Sequence, residues 1–443
     1  MTTPAKMLKD DEDRPPLYPT LEVERVKLPN GITLLLSPSR SIPAVSIHGA
    51  ILAGSRDESD DKAGLASLVG ELISEGTARR TAKELAETIE ATGGRLMTFG
   101  EYQTSGAHGS FLSKDLSIAL EATSDVLTNA IFPEDKVRQF IERRTAQIRS
   151  RLDVPRIQAS DELNETIFAG HPQHRPSVGY ERTVANLDRP DFLDFYRNYY
   201  TPDNLILAIC GDLDVAEVRD TVERVFAHWR RREDGIRKAE VTPLRKCPPV
   251  QRFLNAPKEQ INIFLGHLGI DRRDPDYYTL LVLDTILGSS PGFTSRIPRI
   301  LRDQQGLAYS TFSNITGSAG LDAGRFVAYI GTSPENLDQA LAGLRHEIER
   351  IVLEPVSQEE LDGAKAYLTG NFVFDFQTNA QVAQFLIDAE MYELGFDFPR
   401  RYSDLVRAVT VEDVSRAAQK HIDPEQLVTV VVGPVTEPFH PAK

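Results

Sequence analysis

The chain has 443 residues, of which 41% are hydrophobic and 26% are charged, and its formal net charge is −15. At roughly 150 residues per domain, this length predicts two large domains or about three smaller ones. The excess of acidic residues argues against nucleic acid as a partner, because a negative average field repels a polyanion. No apolar run approaches the roughly 18 residues that a membrane-spanning helix needs, so we expect no membrane span.

The N-terminal sequence MTTPAKMLKDDEDRPP lacks the apolar core of a secretory signal. We therefore expect a cytoplasmic protein, or a periplasmic one if a signal was removed before the present first residue. The two cysteines, Cys210 and Cys247, are too few for a disulfide scaffold or for a cysteine-rich metal site.

The first half of the sequence alternates β-prone runs with amphipathic helical patterns. The turn signal Pro29-Asn30-Gly31 lies between two apolar runs, which predicts a β-hairpin. A capping box of Thr81 and Glu84 marks the start of a helix. In chain order, the predicted segments are strands at 21–28, 33–36 and 44–52, a helix at 63–74, a helix from residue 81, strands within 96–111 and helices within 116–151.

The second half follows the same plan, with a strand at 260–266, a helix at 277–287, strands at 308–315 and 324–329, and helices that begin with capping boxes at Ser357 and Thr410. Strands followed by helices within each half predict the α+β class, with antiparallel sheets covered by helices. The charged and then proline-rich stretch between the halves is typical of an exposed linker. The predicted organisation is a flexible arm at 1–20, a domain at 21–229, a linker at 230–250 and a domain at 251–437.

An internal repeat supports this division into two similar halves. The segment around Pro202 (YTPDNLILAICG) resembles the segment around Pro424 (IDPEQLVTVVVG), and these prolines are 222 residues apart. A second pair of similar segments places Leu116 and Leu337 at an offset of 221 residues. Two matches in the same order at nearly one offset predict a duplicated domain.

The residues alone offer little for chemistry. No two of the nine histidines are four residues apart, so no helix can present two imidazoles to one metal ion, and we expect no metal in this chain. The segment Gly288-Ser289-Ser290-Pro291-Gly292 fits a nucleophile motif formally. However, Pro291 removes the backbone N–H that an oxyanion hole requires.

One further pattern, LRDQQGLAY, places Arg302 and Tyr309 on either side of a predicted helix-to-strand turn. The two side chains could donate hydrogen bonds to the carbonyls of an extended peptide. On spacing alone, an exposed arginine and a half-buried strand tyrosine explain the pattern better.

Short motifs along nearly the whole chain occur in the order found in one peptidase superfamily. They are Leu28-Pro-Asn-Gly-Ile-Thr-Leu-Leu35, Ala53-Gly-Ser-Arg-Asp-Glu58, Gly64-Leu-Ala66, Glu75-Gly-Thr77, Gly170-His-Pro172, Tyr200-Thr-Pro-Asp-Asn204, Gly211-Asp212 and Leu301-Arg-Asp-Gln-Gln-Gly-Leu-Ala-Tyr309. By these motifs the chain resembles the pitrilysin/insulinase metallopeptidases, in the branch of mitochondrial processing peptidase and its bacterial relatives. The resemblance implies two homologous domains that form half of a clamshell.

The resemblance also implies that this chain lacks the family's catalytic centre. Active members carry His-x-x-Glu-His after Gly-Leu-Ala, with two histidine ligands to zinc and a glutamate as general base. Here Ser67 and Glu71 stand at the histidine positions, Gly70 stands at the base, and Gln147 falls at the third ligand. Hydroxyl and amide groups are poor zinc ligands, so we expect neither zinc nor any other cofactor in this chain.

In active assemblies of this family, an Arg/Tyr pair of the C-terminal half holds the substrate backbone near the zinc of the partner subunit. Arg302 and Tyr309 match that pair. The resemblance therefore implies a non-catalytic, substrate-binding subunit, with a homologous zinc-binding partner and a peptide substrate. The loop at 288–293 resembles the family's glycine-rich loop but has fewer glycines. A purely structural scaffold subunit and a stand-alone peptide-binding homodimer remain as alternatives.

Overall fold

The computed structural model describes Tyr18 and residues 20–236, 242–289 and 295–435. Its strands form two sheets, one in each half of the chain. They are β1 (Glu24–Lys27), β2 (Thr33–Pro38), β3 (Ala44–Ile51), β4 (Arg95–Gly100), β5 (Ser105–Leu112) and β6 (Leu205–Gly211), then β7 (Gln251–Asn255), β8 (Ile261–Leu268), β9 (Ser310–Asn314), β10 (Arg325–Thr332) and β11 (Val428–Gly433).

The first sheet has six strands in the order β1-β2-β6-β3-β5-β4, and the second has five in the order β7-β11-β8-β10-β9. From β2 onward, the first order corresponds strand by strand to the second. Most neighbours run antiparallel, as predicted, but β2 and β6 are parallel, and so are β7 and β11. This corrects the expectation of purely antiparallel sheets. A parallel pair needs a long crossover connection, and the helices between β2 and β6 provide one. The α+β class and the division into two similar helix-covered sheets are confirmed.

Helices make up most of the remainder. In the first half they are α1 (Leu65–Leu72), α2 (Ala82–Glu90), α3 (Leu116–Thr128), α4 (Glu134–Leu152), α5 (Pro155–Ile167), α6 (Glu181–Val184), α7 (Arg189–Tyr199) and α8 (Val215–Val225). In the second half they are α9 (Tyr277–Asp284), α10 (Leu337–Leu353), α11 (Gln358–Asn371), α12 (Asn379–Met391), α13 (Phe398–Arg407) and α14 (Val411–His421). No helix in the described ranges is long and apolar enough to cross a bilayer.

The capping boxes predicted from sequence mark real helix starts. Thr81 accepts a hydrogen bond from the backbone N–H of Glu84 at the start of α2, and Ser357 and Thr410 do the same for α11 and α14. The Asn-Gly turn joins β1 and β2 as an antiparallel hairpin, with Gly31 at a φ of +106°. Such a backbone angle favours glycine.

One helix from each half covers the sheet of the other half. Helix α5 contacts β8 and β11, where Leu163 and Ile167 are buried with Phe264 and the valines of β11. Helix α12 contacts β3 and β6, where Leu386 and Ile387 are buried with Leu35, Ala208 and Cys210. Each sheet therefore depends on the opposite half for part of its core.

The predicted domain boundaries stay predictions, but two observations bear on the segments between and before them. Residues 231–236 and 242–250 contain neither helix nor strand. Tyr18 is buried, and its hydroxyl donates a 2.5 Å hydrogen bond to the carbonyl of Thr369 in α11. The predicted arm at 1–20 therefore includes at least one anchored residue.

The two halves are also joined by a charged contact. Arg56 donates two hydrogen bonds to Asp322, at 2.6 and 3.0 Å, and Tyr102 donates a third at 3.1 Å. Nearby, the backbone N–H of Leu321 donates to the side-chain oxygen of Gln103 at 2.6 Å. A bidentate guanidinium–carboxylate pair fixes relative orientation as well as distance.

We predict that Leu386→Ala lowers the free energy of unfolding by about 3 kcal/mol, because it leaves a cavity between α12 and the first sheet. The loss should appear in denaturant unfolding monitored by circular dichroism. Gln384→Ala, an exposed change in the same helix, is the control and should cost less than about 0.5 kcal/mol. Equal effects of the two substitutions would contradict the helix exchange.

Candidate functional site

The start of α1 is fixed by a buried glutamate. The carboxylate of Glu58 accepts hydrogen bonds from the backbone N–H groups of Gly64, at 2.9 Å, and Ala66, at 2.7 Å. Gly64 has a φ of +98°, which explains a glycine directly before the helix. Burial raises the pKa of Glu58 to about 8, although these two N–H groups and the nearby Arg175 and Arg144 act in the opposite direction. These hydrogen bonds hold the first turn of α1 in a defined position.

The positions of the two expected histidines lie one turn apart on α1. Ser67 is buried, while the side chain of Glu71 is 38% exposed. One arginine of α4 contacts both: Arg144 donates from one terminal nitrogen to the Ser67 hydroxyl and from the other to the Glu71 carboxylate, each at 2.6 Å. Its own side chain is only 3% exposed. The two motif positions are thereby joined to each other and to α4.

The position of the general base is closed by backbone. A Cβ atom on Gly70 would overlap the carbonyl oxygen of Phe99 in β4. On the facing strand, a Cβ atom on Gly100 would lie 2.6 Å from the carbonyl oxygen of Ala66. Helix α1 and strand β4 therefore meet through two glycines. A glutamate has no room at residue 70 unless β4 moves.

Gln147, at the expected third ligand, lies on α4 one turn beyond Arg144, and its side chain is exposed. The site as a whole does not suit zinc. Its donors are a serine hydroxyl, an amide and a carboxylate that is already paired with a guanidinium, whereas zinc prefers imidazole, thiolate and free carboxylate. The chemistry available here is ionic and structural.

Another group of possible ligands, Asp274, Asp276 and His421, lies in the second half. The Asp276 carboxylate is already hydrogen-bonded to Arg416 at 2.8 Å, to Lys420 at 2.7 Å and to His421 at 2.8 Å. Although burial acts in the opposite direction, these partners hold the pKa of Asp276 well below its usual range. The group is better explained as an ionic link between α9 and α14 than as a metal site.

Arg302 and Tyr309 lie on the surface of the second half. Arg302 belongs to a wide helical turn, Pro298–Gln304, that is anchored by the buried Leu301. Tyr309 directly precedes the edge strand β9; its backbone N–H donates to Gly331 at 2.9 Å, and its side chain is 62% exposed. The Tyr309 hydroxyl lies 3.2 Å from the hydroxyl of Ser333. Both side chains are thus accessible, one on each side of the turn.

The second half repeats the close contact between a helix and an edge strand. Gly288, in the helical turn Thr285–Ser289 that follows α9, lies against Ser313 of β9. Ser289 donates a 2.5 Å hydrogen bond to the carbonyl of Ser313. Gly288 and Ser289 begin the predicted loop at 288–293, but Ser290 and the rest of that loop lie outside the described residues.

Sequence reasoning missed Arg144, although a signal for it exists. Arg144 lies four residues after Phe140 and four before Ile148, and all three are buried on one face of α4. An arginine on an apolar helix face is uncommon unless it has a buried partner. What the sequence does not indicate is the identity of that partner on α1.

We predict that Gly70→Ala destabilises the chain by about 1–3 kcal/mol, because the new methyl group overlaps the backbone of β4. Gly363→Ala is a matched control, since Gly363 is also inside a helix and a Cβ there meets nothing within 4 Å. The control should stabilise the chain by about 0.5–1 kcal/mol through helix propensity. Thermal and denaturant unfolding measure both changes. Equal stabilities of the two variants would contradict the close contact of α1 with β4.

Comparison with known proteins places the chain in a family. The sequence model described as "Insulinase (Peptidase family M16)" matches residues 34–179, and the model described as "Peptidase M16 inactive domain" matches residues 186–368. A Rickettsia bellii protein named "Uncharacterized zinc protease" is 26% identical over 417 residues, which span 92% of this chain and 97% of that protein.

Solved structures share the fold over almost all of the chain. A "peptidase M16 inactive domain" structure from Pseudomonas fluorescens has a TM-score of 0.87 at 24% identity and covers 95% of this chain and 100% of its own. A chain of complex III2 from Candida albicans has a TM-score of 0.77 at 18% identity, with 93% and 96% covered. The two M16 family models, which match residues 34–179 and 186–368, show that this chain belongs to the insulinase family of peptidases, M16.

Proposed function

We propose that this chain is the non-catalytic, substrate-binding subunit of a heterodimeric zinc metalloendopeptidase that acts on extended peptides. The observation that carries the proposal is a contrast within one molecule. The zinc-motif positions carry a serine, a glycine and a glutamate that is paired with Arg144. In the other half of the chain, Arg302 and Tyr309 are accessible.

The first part of the proposal is that the chain does not hydrolyse peptides alone. A metallopeptidase needs an ion that activates water and a base that accepts its proton. Gly70 has no side chain to accept a proton, and backbone closes the space next to it. Zinc and its activated water would therefore come from a homologous partner that carries an intact His-x-x-Glu-His.

The second part is that the chain contributes to substrate binding. Arg302 offers guanidinium N–H donors and Tyr309 offers a hydroxyl, and both groups can donate to peptide carbonyls. If the two subunits close around a chamber, these donors would hold the substrate backbone or the developing oxyanion near the partner's zinc. Because these hydrogen bonds are made to backbone carbonyls, they would favour unfolded, extended peptides whose backbone is accessible.

Two other functions compete with this proposal. The chain of complex III2 that shares this fold agrees with a structural scaffold role, but a scaffold has no need of an exposed arginine and tyrosine at this spacing. A stand-alone peptide-binding homodimer would use the same donors without any partner. The three hypotheses differ in what the isolated chain and the mixture can do.

We predict that an unfolded protein substrate is cleaved only when this chain is mixed with an M16 partner that has an intact zinc motif. Neither chain alone should reach more than a few per cent of the activity of the mixture, and a chelator should abolish that activity. Discontinuous gel assays and a quenched fluorescent peptide measure this. Chelator-sensitive cleavage by this chain alone would refute the non-catalytic role.

We predict that Arg302→Ala lowers kcat/KM of the mixture by about tenfold or more, since one backbone hydrogen bond to a charged donor is lost. Tyr309→Phe, which removes only the hydroxyl, should give a smaller loss. Arg299→Ala is the matched control, because Arg299 is an exposed arginine of the same turn. Undiminished activity with Arg302→Ala, or an equal loss with Arg299→Ala, would remove the substrate-holding role and leave the scaffold as the better explanation.

A further inference from the structure

The geometry around α1 shows what occupies the former metal position. A metal ion held by side chains four residues apart on a helix lies between those side chains, on the face they share. In this chain the space between Ser67 and Glu71 is occupied by the guanidinium of Arg144, which hydrogen-bonds both at 2.6 Å through different nitrogens. A cation that belongs to the chain thus lies where the helix geometry would place an ion.

The connection that Arg144 makes also matches the connection expected of a metal. In the family pattern the third ligand comes from α4, at the position of Gln147, so the ion would tie α1 to α4. Arg144 lies one turn before Gln147 on the same helix and makes that tie directly. It also lies 3.4 Å from the carbonyl of Val178, a further oxygen acceptor.

The main charged partner of Arg144 is the carboxylate of Glu71. Burial lowers the pKa of Arg144 and the adjacent Arg143 acts in the same direction, while Glu71 and, more weakly, Glu58 act against them. Arginine remains protonated in proteins even when its pKa is lowered, so the site keeps one buried positive charge. Arg143, the adjacent arginine, is 62% exposed and lies 3.4 Å from the outer oxygen of Glu71.

We propose that Arg144 takes the place of the metal ion in this chain: its guanidinium ties α1 to α4 and excludes a divalent cation from the site between them. The inference is independent of the proposed function, since a scaffold or a peptide-binding homodimer would use the same tie. It has a specific consequence. Restoring the three ligand side chains does not restore zinc binding while the guanidinium remains.

The test rebuilds the ligands and leaves Gly70 unchanged, so that β4 is not displaced. One full-length variant carries Ser67→His, Glu71→His and Gln147→Glu; a second carries Arg144→Met in addition, which keeps most of the volume and removes the charge. Both are loaded with Zn²⁺, passed over a desalting column and measured for bound zinc. Bound Co²⁺ is measured in parallel by its visible absorption.

We expect the variant that retains Arg144 to hold less than about 0.1 zinc per chain and the variant with Arg144→Met to hold close to one. Stoichiometric zinc in the presence of Arg144 would overturn the proposal. Absence of zinc from the folded Arg144→Met variant would overturn it as well, because the guanidinium would not then be what excludes the ion.

A second measurement tests the tie in the chain as it stands. Arg144→Lys keeps the charge but cannot donate to Ser67 and Glu71 from a planar fork, so we expect its melting temperature to fall by roughly 5 °C. Arg143→Lys, the same substitution at the neighbouring residue, should shift it by less than about 1 °C. Equal shifts for the two variants would overturn the role of Arg144 as the link between α1 and α4.

Discussion

The exchange of one helix between the halves is the constraint on which the rest of the structure depends. Leu163 of α5 is fully buried against the second sheet, and Leu386 of α12 is fully buried against the first. Without the exchange, each sheet would expose an apolar face to water, at about 25 cal/mol per Å² of that surface. The halves therefore share parts of their cores, which keeps α1, with the buried Ser67, in a fixed relation to the surface that carries Tyr309.

Close contact between a helix and an edge strand is the second recurring feature. In the first half it is made by Gly70 and Gly100, and in the second half Gly288 lies against Ser313. Edge strands are open to pairing with other chains unless something covers them. Strands β4 and β9 are the outermost strands of their sheets on this side, and in each half a helical segment contacts the strand closely.

Much of the fold could be predicted from sequence because local signals agree with the final structure. The structure has a hairpin at the Asn-Gly turn and a helix after each of the three capping boxes. The repeated segments at Pro202 and Pro424 contain the equivalent strands β6 and β11. The helix exchange could not be predicted, because the apolar face of a helix does not specify which sheet it will cover. The parallel strand pairs could not be predicted either, because pairing across a long connection leaves no local sequence pattern.

The candidate site could likewise be predicted only in part. The loss of the zinc ligands is visible in the residues themselves, whereas the link from Arg144 to Ser67 joins positions 77 residues apart and follows only from the packing of α4 on α1.

The glycine contact between α1 and β4 also limits which substitutions this chain can accept. Four substitutions would give the chain the family's three zinc ligands and its general base. However, a glutamate at residue 70 would overlap the backbone of Phe99. A backbone obstacle cannot be relieved one side chain at a time, because β4 is hydrogen-bonded along its length to β5. A glutamate at residue 70 would therefore have to displace a whole strand, so a chain that acquired the motif by single substitutions would first pass through less stable forms.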